Sequence, residues 1–303
     1  MAIKNVIILG ASGALGSVVL AALTKAGFTV SALVRSSSKA TFPPETPVHR
    51  VDYDDLQALT AAFQGQDAVV STITTAHVDA QRVAVDAAVA AKVQRFIPSE
   101  YGGDSSDPDR VDVGIFQSAK RRIVEHLETK EKEGLSWTAI CTGSWLHWNL
   151  ELDNKDLGWD LPHRAVALYD KGEPKVDLCT LEQVSRSIIS TLRHLEETKN
   201  EYVYVKSFTA SQNQLLSIIE RLSGQKFTIH PCSSEERAAT GMKEMKEGKQ
   251  ESMFKVIAAT AYGPWQIGQF GNKTDKWMKV LELPTDEDLE AVVRASLKKK
   301  GLV

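Results

Sequence analysis

The sequence predicts an α/β protein with a Rossmann-type doubly wound parallel sheet and a smaller α/β C-terminal lobe. Three observations carry that expectation. Through the first 150 residues, short apolar runs suited to strands covered on both faces alternate with helical patterns. A glycine-rich turn joins the first of those runs to the first helix. Past residue 144 the texture changes, and five of the six tryptophans lie there, the other being Trp137.

The elements follow in order. Residues 6–9 (VIIL) form a continuous apolar run ending at Gly10, read as a strand. Residues 14–26 read as an apolar helix stopped by Gly27, and 28–34 as the second strand. A third strand lies at 48–51. Leu56, Leu59 and Phe63 then recur at helical spacing in a helix closed by Gly65. Strands are expected at 67–73, 94–98 and 136–142, with helices at 80–91 and 116–132. Helices of ten or more residues between strands imply right-handed crossovers and a parallel sheet. In the second half the patterns predict strands at 165–169, 202–205 and 227–229 and helices at 181–195 and 211–222. The expected division is the Rossmann-type domain over 1–150 and the smaller lobe over 151–303, packed as one compact unit. The charged segment 243–251 and the run Lys298-Lys299-Lys300 read as solvated faces.

Composition excludes several classes. Hydrophobic residues at 43% and charged residues at 25% suit a globular chain with a substantial core. The formal charge of −3, from 36 basic and 39 acidic residues, lacks the basic excess of a nucleic-acid binder. Apolar runs fall short of a membrane span, and the N-terminal MAIKNVIILG reads as a buried strand rather than a signal peptide. The three cysteines, Cys141, Cys179 and Cys232, are too scattered for a disulfide framework or a CxxC metal site, so no metal is expected. The expectation is a cytoplasmic protein that engages neither nucleic acid nor membrane, with monomer and homodimer both open.

Gly10-Ala11-Ser12-Gly13-Ala14-Leu15-Gly16 sits between the first strand and the first helix. Gly10 permits the sharp turn, Gly13 lets the backbone approach a pyrophosphate, and Gly16 lets the helix pack closely on the strand. Ser12 and Leu15 belong to the same cradle, whose helix N-terminus offers free N–H groups to an anion. The second strand ends Val34-Arg35-Ser36-Ser37-Ser38-Lys39 without an acid. An acid there would suit the ribose of NAD, whereas Arg suits the 2′-phosphate of NADP. Arg35 is therefore read as the phosphate clamp, helped by Ser36 and Lys39, and the cofactor as NADPH/NADP. Asp52 is placed either to meet the adenine edge or to cap the next helix. Thr72 lies where the sheet edge would border the cofactor.

Positions 116, 120, 123 and 127 share one helix face, and they hold Phe116, Lys120, Ile123 and Leu127. A lysine on an apolar stripe must snorkel or find a polar partner. Pointed into the nicotinamide site, it would transfer a proton or grip ribose hydroxyls. Pro98–Gly102 ends the preceding strand at the ligand-binding edge and leads into a polar loop, 103–112, that would cover the site. Cys141–Trp145 ends the following strand at the same edge.

GASGALG, VRSSSK, RFIPSEYGGD, FQSAKRRIVEHLE and LELPTDEDLEAVV together resemble the NmrA-like and isoflavone-reductase-like proteins, which are atypical short-chain dehydrogenases. The resemblance spans essentially the whole chain, is strongest over 3–145, and is closest to fungal members. It implies a Rossmann domain with a small substrate lobe, NADPH, and reduction of phenolic or other aromatic molecules. In the family's catalytic branch a lysine eight residues before the glutamate of an RRxIE-like stretch is the catalytic group. Counting back from Glu128 lands on Lys120. The resemblance also implies that Thr142 and Gly143 line the nicotinamide. Two features depart from the wider pattern. Phe116 stands where ordinary short-chain dehydrogenases carry a tyrosine, and the arginine pair is shifted to Arg121-Arg122.

The leading expectation is an NADPH-dependent reductase of an aromatic, phenolic or polyketide-type molecule. Lys120 would position the cofactor and relay a proton, and Trp145, Trp148, Tyr169, Tyr262 and Trp265 would wall the substrate. The alternatives are an NADP-sensing regulator without turnover and, less favoured, a non-redox isomerase or cyclase on the same scaffold.

Overall fold

A computed structural model of the chain describes residues 2–107, 115–152 and 154–303. The first half contributes strands β1 (Asn5–Leu9), β2 (Thr29–Arg35), β3 (Val48–Val51), β4 (Ala68–Ser71), β5 (Arg95–Ile97) and β6 (Ser136–Cys141). The second adds β7 (Ser144–Trp145), β8 (Trp159–Asp160), β9 (Ala165–Tyr169), β10 (Lys175–Cys179), β11 (Glu201–Tyr204), β12 (Phe208–Ser211) and β13 (Thr228–Cys232). The α-helices up to the middle of the chain are α1 (Ala14–Lys25), α2 (Leu56–Phe63), α3 (Gln81–Ala90), α4 (Ile115–Lys130) and α5 (Leu146–Glu151). Then come α6 (Leu181–Arg193), α7 (Gln212–Ser223), α8 (Ser234–Lys246), α9 (Met253–Tyr262), α10 (Lys273–Val280) and α11 (Leu289–Lys299).

Alternate residues of the apolar strands go to opposite faces, and each face finds its own cover. Val6 and Ile8 of β1, Ala32 of β2 and Val70 of β4 meet Leu15 and Val19 of α1 and Ile188 of α6. Ile7, Leu33 and Val69 meet Leu59 of α2, Val85 of α3 and Ile123 of α4. The sheet they form is parallel throughout, in the order β11-β6-β5-β4-β1-β2-β3. The order reverses at β1. The chain builds outward to β3 on one side, then returns through α2 to β4 on the other, and such a reversal opens a crevice at the carboxyl ends of β1 and β4.

The seventh strand comes from beyond residue 150, and so does α6, which packs on α1. The segment 151–303 thus gives a helix and a strand to the first layer as well as building the smaller lobe. Arg95 of β5, only 2% exposed, ties this return in place. Its guanidinium donates to Ser136 Oγ at 2.9 Å, Thr138 Oγ1 at 2.6 Å, Thr198 Oγ1 at 3.0 Å and the Leu195 carbonyl at 2.6 Å. Leu195 and Thr198 belong to the connection that delivers β11 to β6. Burial pulls the Arg95 pKa down to about 10, and Glu196 opposes that shift.

The smaller lobe holds two three-stranded sheets, β12-β10-β7 and β13-β9-β8. They close over Trp159, Tyr169, Leu178, Ile219, Tyr262 and Val293. Helices α8, α9, α10 and α11 were not expected from the sequence pattern. In α8 the buried residues are Ser234, Ala238 and Gly241, too small to write a visible apolar stripe. Strand β13 runs on to Cys232 through Pro231, which an edge strand tolerates because one side of it lacks a ladder partner.

Replacing Arg95 by Met would leave Ser136, Thr138 and Thr198 without their buried donor. The expected loss is about 3 kcal/mol in urea-unfolding free energy; a loss below about 1 kcal/mol would show that the guanidinium does not anchor the β11 connection.

Candidate functional site

Gly10 adopts φ +87°, and a Cβ there would come within 3.1 Å of the Thr72 and Ile73 backbone. At Gly16 a Cβ would fall 2.4 Å from the Gly10 carbonyl oxygen, so α1 can lie this close to β1 only with glycine there. The turn is set by Gly10 N donating to the Leu33 carbonyl and Gly13 N to the Gly10 carbonyl, each at 3.0 Å. Thr72 braces it from β4, its hydroxyl donating toward the Leu9 and Gly10 carbonyls at 3.1 and 3.2 Å. Gly13 is the N-cap of α1 and brings no side chain to cap it. The first-turn N–H groups therefore face outward with the positive end of the helix dipole.

This turn floors a groove of about 460 Å³. Gly10, Ser12 and Gly13 line it from β1, Arg35 and Ser36 from β2, Asp52 and Tyr53 from β3, and Thr72 from β4. Asp52 accepts from Asp54 N at 3.1 Å, while the helix-capping role falls to Asp55, which accepts from Gln57 N and Ala58 N. That leaves Asp52 facing the groove. Lys39 is exposed and lies off the groove lining. The Leu15 side chain is buried in the core, so only its backbone can serve a ligand.

Tyr53 and His77 were not expected at this groove. Tyr53 sits next to Asp52, and its hydroxyl donates to the Leu33 carbonyl at 3.3 Å. Burial pushes it up to about 12, against the pull of a Gly10 backbone hydrogen bond and Arg35. The strand-end position beside Asp52 was the available signal for Tyr53. His77 lies on the 3-10 turn Thr75–Ala80 after β4, and nothing local marks it.

The remaining expected residues gather in a second cluster, at the ends of β5 and β6. On α4, Phe116, Lys120, Ile123 and Leu127 are all buried, as their shared face requires. The Lys120 ammonium donates to the Glu100 main-chain oxygen. Thr142 N and Gly143 N both donate to the Gly102 carbonyl at 3.0 Å, which joins the Lys120 loop to the β6 turn. Gly143 has φ +66°, and a Cβ there would lie 2.1 Å from the Asp177 carbonyl oxygen of the smaller lobe. Trp145 Nε1 donates to Thr142 Oγ1 at 3.2 Å, and its ring meets Trp148 edge-on at 4.9 Å. Trp148 in turn meets Phe254 at 6.0 Å. Tyr169 and Tyr262 differ from expectation. They are 0% and 1% exposed and stack on each other at 5.7 Å inside the lobe core, so they wall no pocket.

The polar loop after Gly102 is pinned as far as the structure describes it. Asp104, 2% exposed, accepts from Lys273 Nζ at 2.9 Å, and its backbone N donates to the Ile267 carbonyl at 3.0 Å. Residues 108–112, expected to form part of a cover, lie outside the described residues.

The sequence pattern of the NmrA-like family matches residues 3–282. The chain belongs to the NmrA-like family. An oxidoreductase of Aspergillus flavus, aprR, is 35% identical to this NmrA-like chain over 254 residues, 82% of the chain and 84% of that protein. An isoflavone reductase homolog of Zea mays is 28% identical over 74% of the chain and 76% of its own length. In fold, the leucoanthocyanidin reductase–NADPH complex of Vitis vinifera matches with a TM-score of 0.79 at 18% identity, over 97% of this chain and 100% of that one. The family resemblance read from the motifs is thereby borne out, as is the Rossmann-type fold. Among the described residues no helix is long and apolar enough to cross a membrane.

Glu100 is the least expected charge of this NmrA-like site. It is 1% exposed, and burial pushes its carboxyl up to about 7, with Lys120, Ser105 and Arg121 pulling it back and Asp104 adding to the push. A raised folded-state pKa means that the folded chain holds the proton longer than the unfolded chain does. The neutral form is tolerated at acid pH, and stability is lost as pH rises from about 4.5 toward 7, by on the order of 3 kcal/mol. Glu100→Gln removes that dependence. Unfolding free energies at pH 5 and pH 8 are expected to differ less in the variant by about this amount, and an unchanged difference would mean that Glu100 is not a buried acid.

Proposed function

We propose that this chain is an NADPH-dependent reductase of an aromatic, phenolic or polyketide-type small molecule. The observation that carries the reading is the groove itself: an uncapped helix N-terminus at its floor, with the Arg35 guanidinium at the end of β2 beside it. The turn N–H groups suit a pyrophosphate. Arg35, with Ser36 next to it, suits a 2′-phosphate through two charge-assisted hydrogen bonds. Family membership and the oxidoreductase name of the Aspergillus relative support the same reading.

NADPH, when bound, supplies the hydride. The chain's own residues orient and protonate. Thr142 and Gly143, clamped to the Gly102 carbonyl, would border the reacting end of the cofactor, and Lys120 holds its ammonium at the adjoining loop. With Phe116 in place of a tyrosine, Lys120 is the group that gives a proton to the oxygen which gains charge as hydride arrives. The half-buried Trp145 and Trp148 offer flat apolar surface to an aromatic ring.

Arg35→Ala is expected to weaken NADPH binding about tenfold or more in a fluorescence titration while leaving NADH nearly unchanged. Equal losses for both would remove the 2′-phosphate assignment. Turnover is tested by NADPH oxidation across isoflavones, phenylpropanoids, quinones and aromatic polyketide ketones. Lys120→Ala should lower kcat about a hundredfold or more and still bind NADPH. Unchanged turnover in that variant would discard Lys120 as the proton donor, and tight NADPH binding with no oxidation of any of these classes would favour a regulator.

A further inference from the structure

Lys120 is buried on the apolar face of α4, and its ammonium donates to the Glu100 main-chain oxygen. An ammonium has three N–H groups, and this carbonyl takes one of them. The aim of the other two depends on how the ammonium is seated against the loop that carries the carbonyl. Gly102 stands two residues further along that loop. Its φ lies outside the left-handed region, so an alanine could adopt the same backbone without strain. The demand for glycine here is one of space. A Cβ on Gly102 would lie 3.1 Å from Lys120 Nζ and 3.3 Å from the Glu100 carbonyl oxygen. The room left by the missing side chain is the room beside the ammonium and its acceptor.

Gly102 also holds the other side of the site. Its carbonyl oxygen accepts from Thr142 N and Gly143 N, each at 3.0 Å. One residue thus borders the ammonium at its Cα and the β6 turn at its carbonyl, and the offset between the two is the width of a single backbone unit. Gly103, next in the chain, has a different neighbour. A Cβ there would fall 2.2 Å from Ile267 Cγ2, a contact with the smaller lobe rather than with Lys120.

The loop has little freedom to yield. At its start Ser99 N donates to Gln81 Oε1 at 2.8 Å, and Ser99 Oγ to the Ile73 carbonyl at 2.7 Å. At its end Ser105 Oγ donates to Glu100 Oε1 at 3.0 Å and lies 3.2 Å from the Tyr202 hydroxyl of β11. The Lys120 ammonium, by contrast, ends a flexible four-carbon stem. A methyl added at position 102 therefore displaces the ammonium before it displaces the loop.

We infer that Gly102 is a positioning residue: by carrying no side chain, it seats the Lys120 ammonium at a fixed offset from the β6 turn. The consequence for turnover rests on the reductase reading. Proton transfer needs donor and acceptor about 2.6–3.2 Å apart. A misplacement of about 1 Å can cost on the order of a hundredfold in rate.

Gly102→Ala and Gly102→Val test the seat, each alone and combined with Lys120→Ala. The first readout needs no turnover: the rate at which acetic anhydride acetylates Lys120 in the folded chain, followed by peptide mass spectrometry. That rate should rise severalfold in Gly102→Ala and further in Gly102→Val, as the ammonium leaves its carbonyl. The second readout is steady-state NADPH oxidation. Here kcat should fall severalfold with alanine and about tenfold or more with valine. The alanine variant should keep the wild-type NADPH Kd and urea midpoint. In the Lys120→Ala background neither substitution should lower the residual kcat further, because no ammonium remains to be displaced. Unchanged acetylation or unchanged kcat in both variants would overturn the inference. An equal loss of kcat with and without Lys120 would also overturn it, since Gly102 would then act through the fold alone. A wild type that oxidises NADPH with none of the substrates would fail the reductase reading, and the acetylation rates would still decide whether Gly102 seats the ammonium.

Discussion

Closure of both faces of the parallel sheet against water is the constraint on which the other features depend. Strands as apolar as β1, β2 and β4 must be covered on each side, and only helical crossovers can do that while keeping the strands parallel. Crossovers of one hand force the chain to reverse its direction of growth at β1, and the reversal leaves the carboxyl ends of β1 and β4 uncovered. The glycine turn, Arg35, Asp52 and Thr72 all stand at that edge because the strands that carry them end there. The position of the groove is thus a by-product of hydrophobic burial, and its chemistry is a matter of which residues follow each strand.

Two opposite electrostatic designs sit at this one edge. At the glycine turn the charge is exposed. The uncapped N-terminus of α1 and the Arg35 side chain are open to solvent, an arrangement that would receive an anion at little desolvation penalty to the protein. At the ends of β5 and β6 the charges are buried. Lys120 and Glu100 are both removed from water, their mutual attraction opposing the burial that raises the Glu100 pKa. The first arrangement leaves a cation open to solvent; the second holds an acid whose ionisation shifts strongly with small changes in local charge.

Asp177 of β10 couples the smaller lobe to this chemistry. It accepts from Phe270 N at 2.8 Å and Thr209 Oγ1 at 2.5 Å, and its carbonyl oxygen occupies the space that any side chain at Gly143 would need. The β6 turn therefore packs backbone to backbone against the second lobe. The same lobe supplies Phe254 to the aromatic edge begun by Trp145 and Trp148.

The glycine spacing, Arg35 and the Lys120 stripe were legible in the sequence because each is a short-range pattern. A strand, a turn and a helix, or one helix face, put those residues where they stand whatever the rest of the chain does. Leu15 and Lys39 show the limit of that reading, since their neighbours along the chain reach the groove while their own side chains do not. Tyr169 and Tyr262 show it again: aromatic residues read equally well as wall or core, and only packing decides between them. The return of β11 to the main sheet, the Arg95 anchor and the line from Tyr202 through Ser105 to Glu100 left no mark on periodicity. Ser105 and Tyr202 are 97 residues apart, and Arg95 and Thr198 are 103 apart. The sequence alone determined the helices and strands that hide apolar surface and the glycine turn between β1 and α1, because local sterics and spacing dictate both. The tertiary structure decided which distant polar groups share a buried space, because desolvation acts on neighbours in three dimensions and not along the chain.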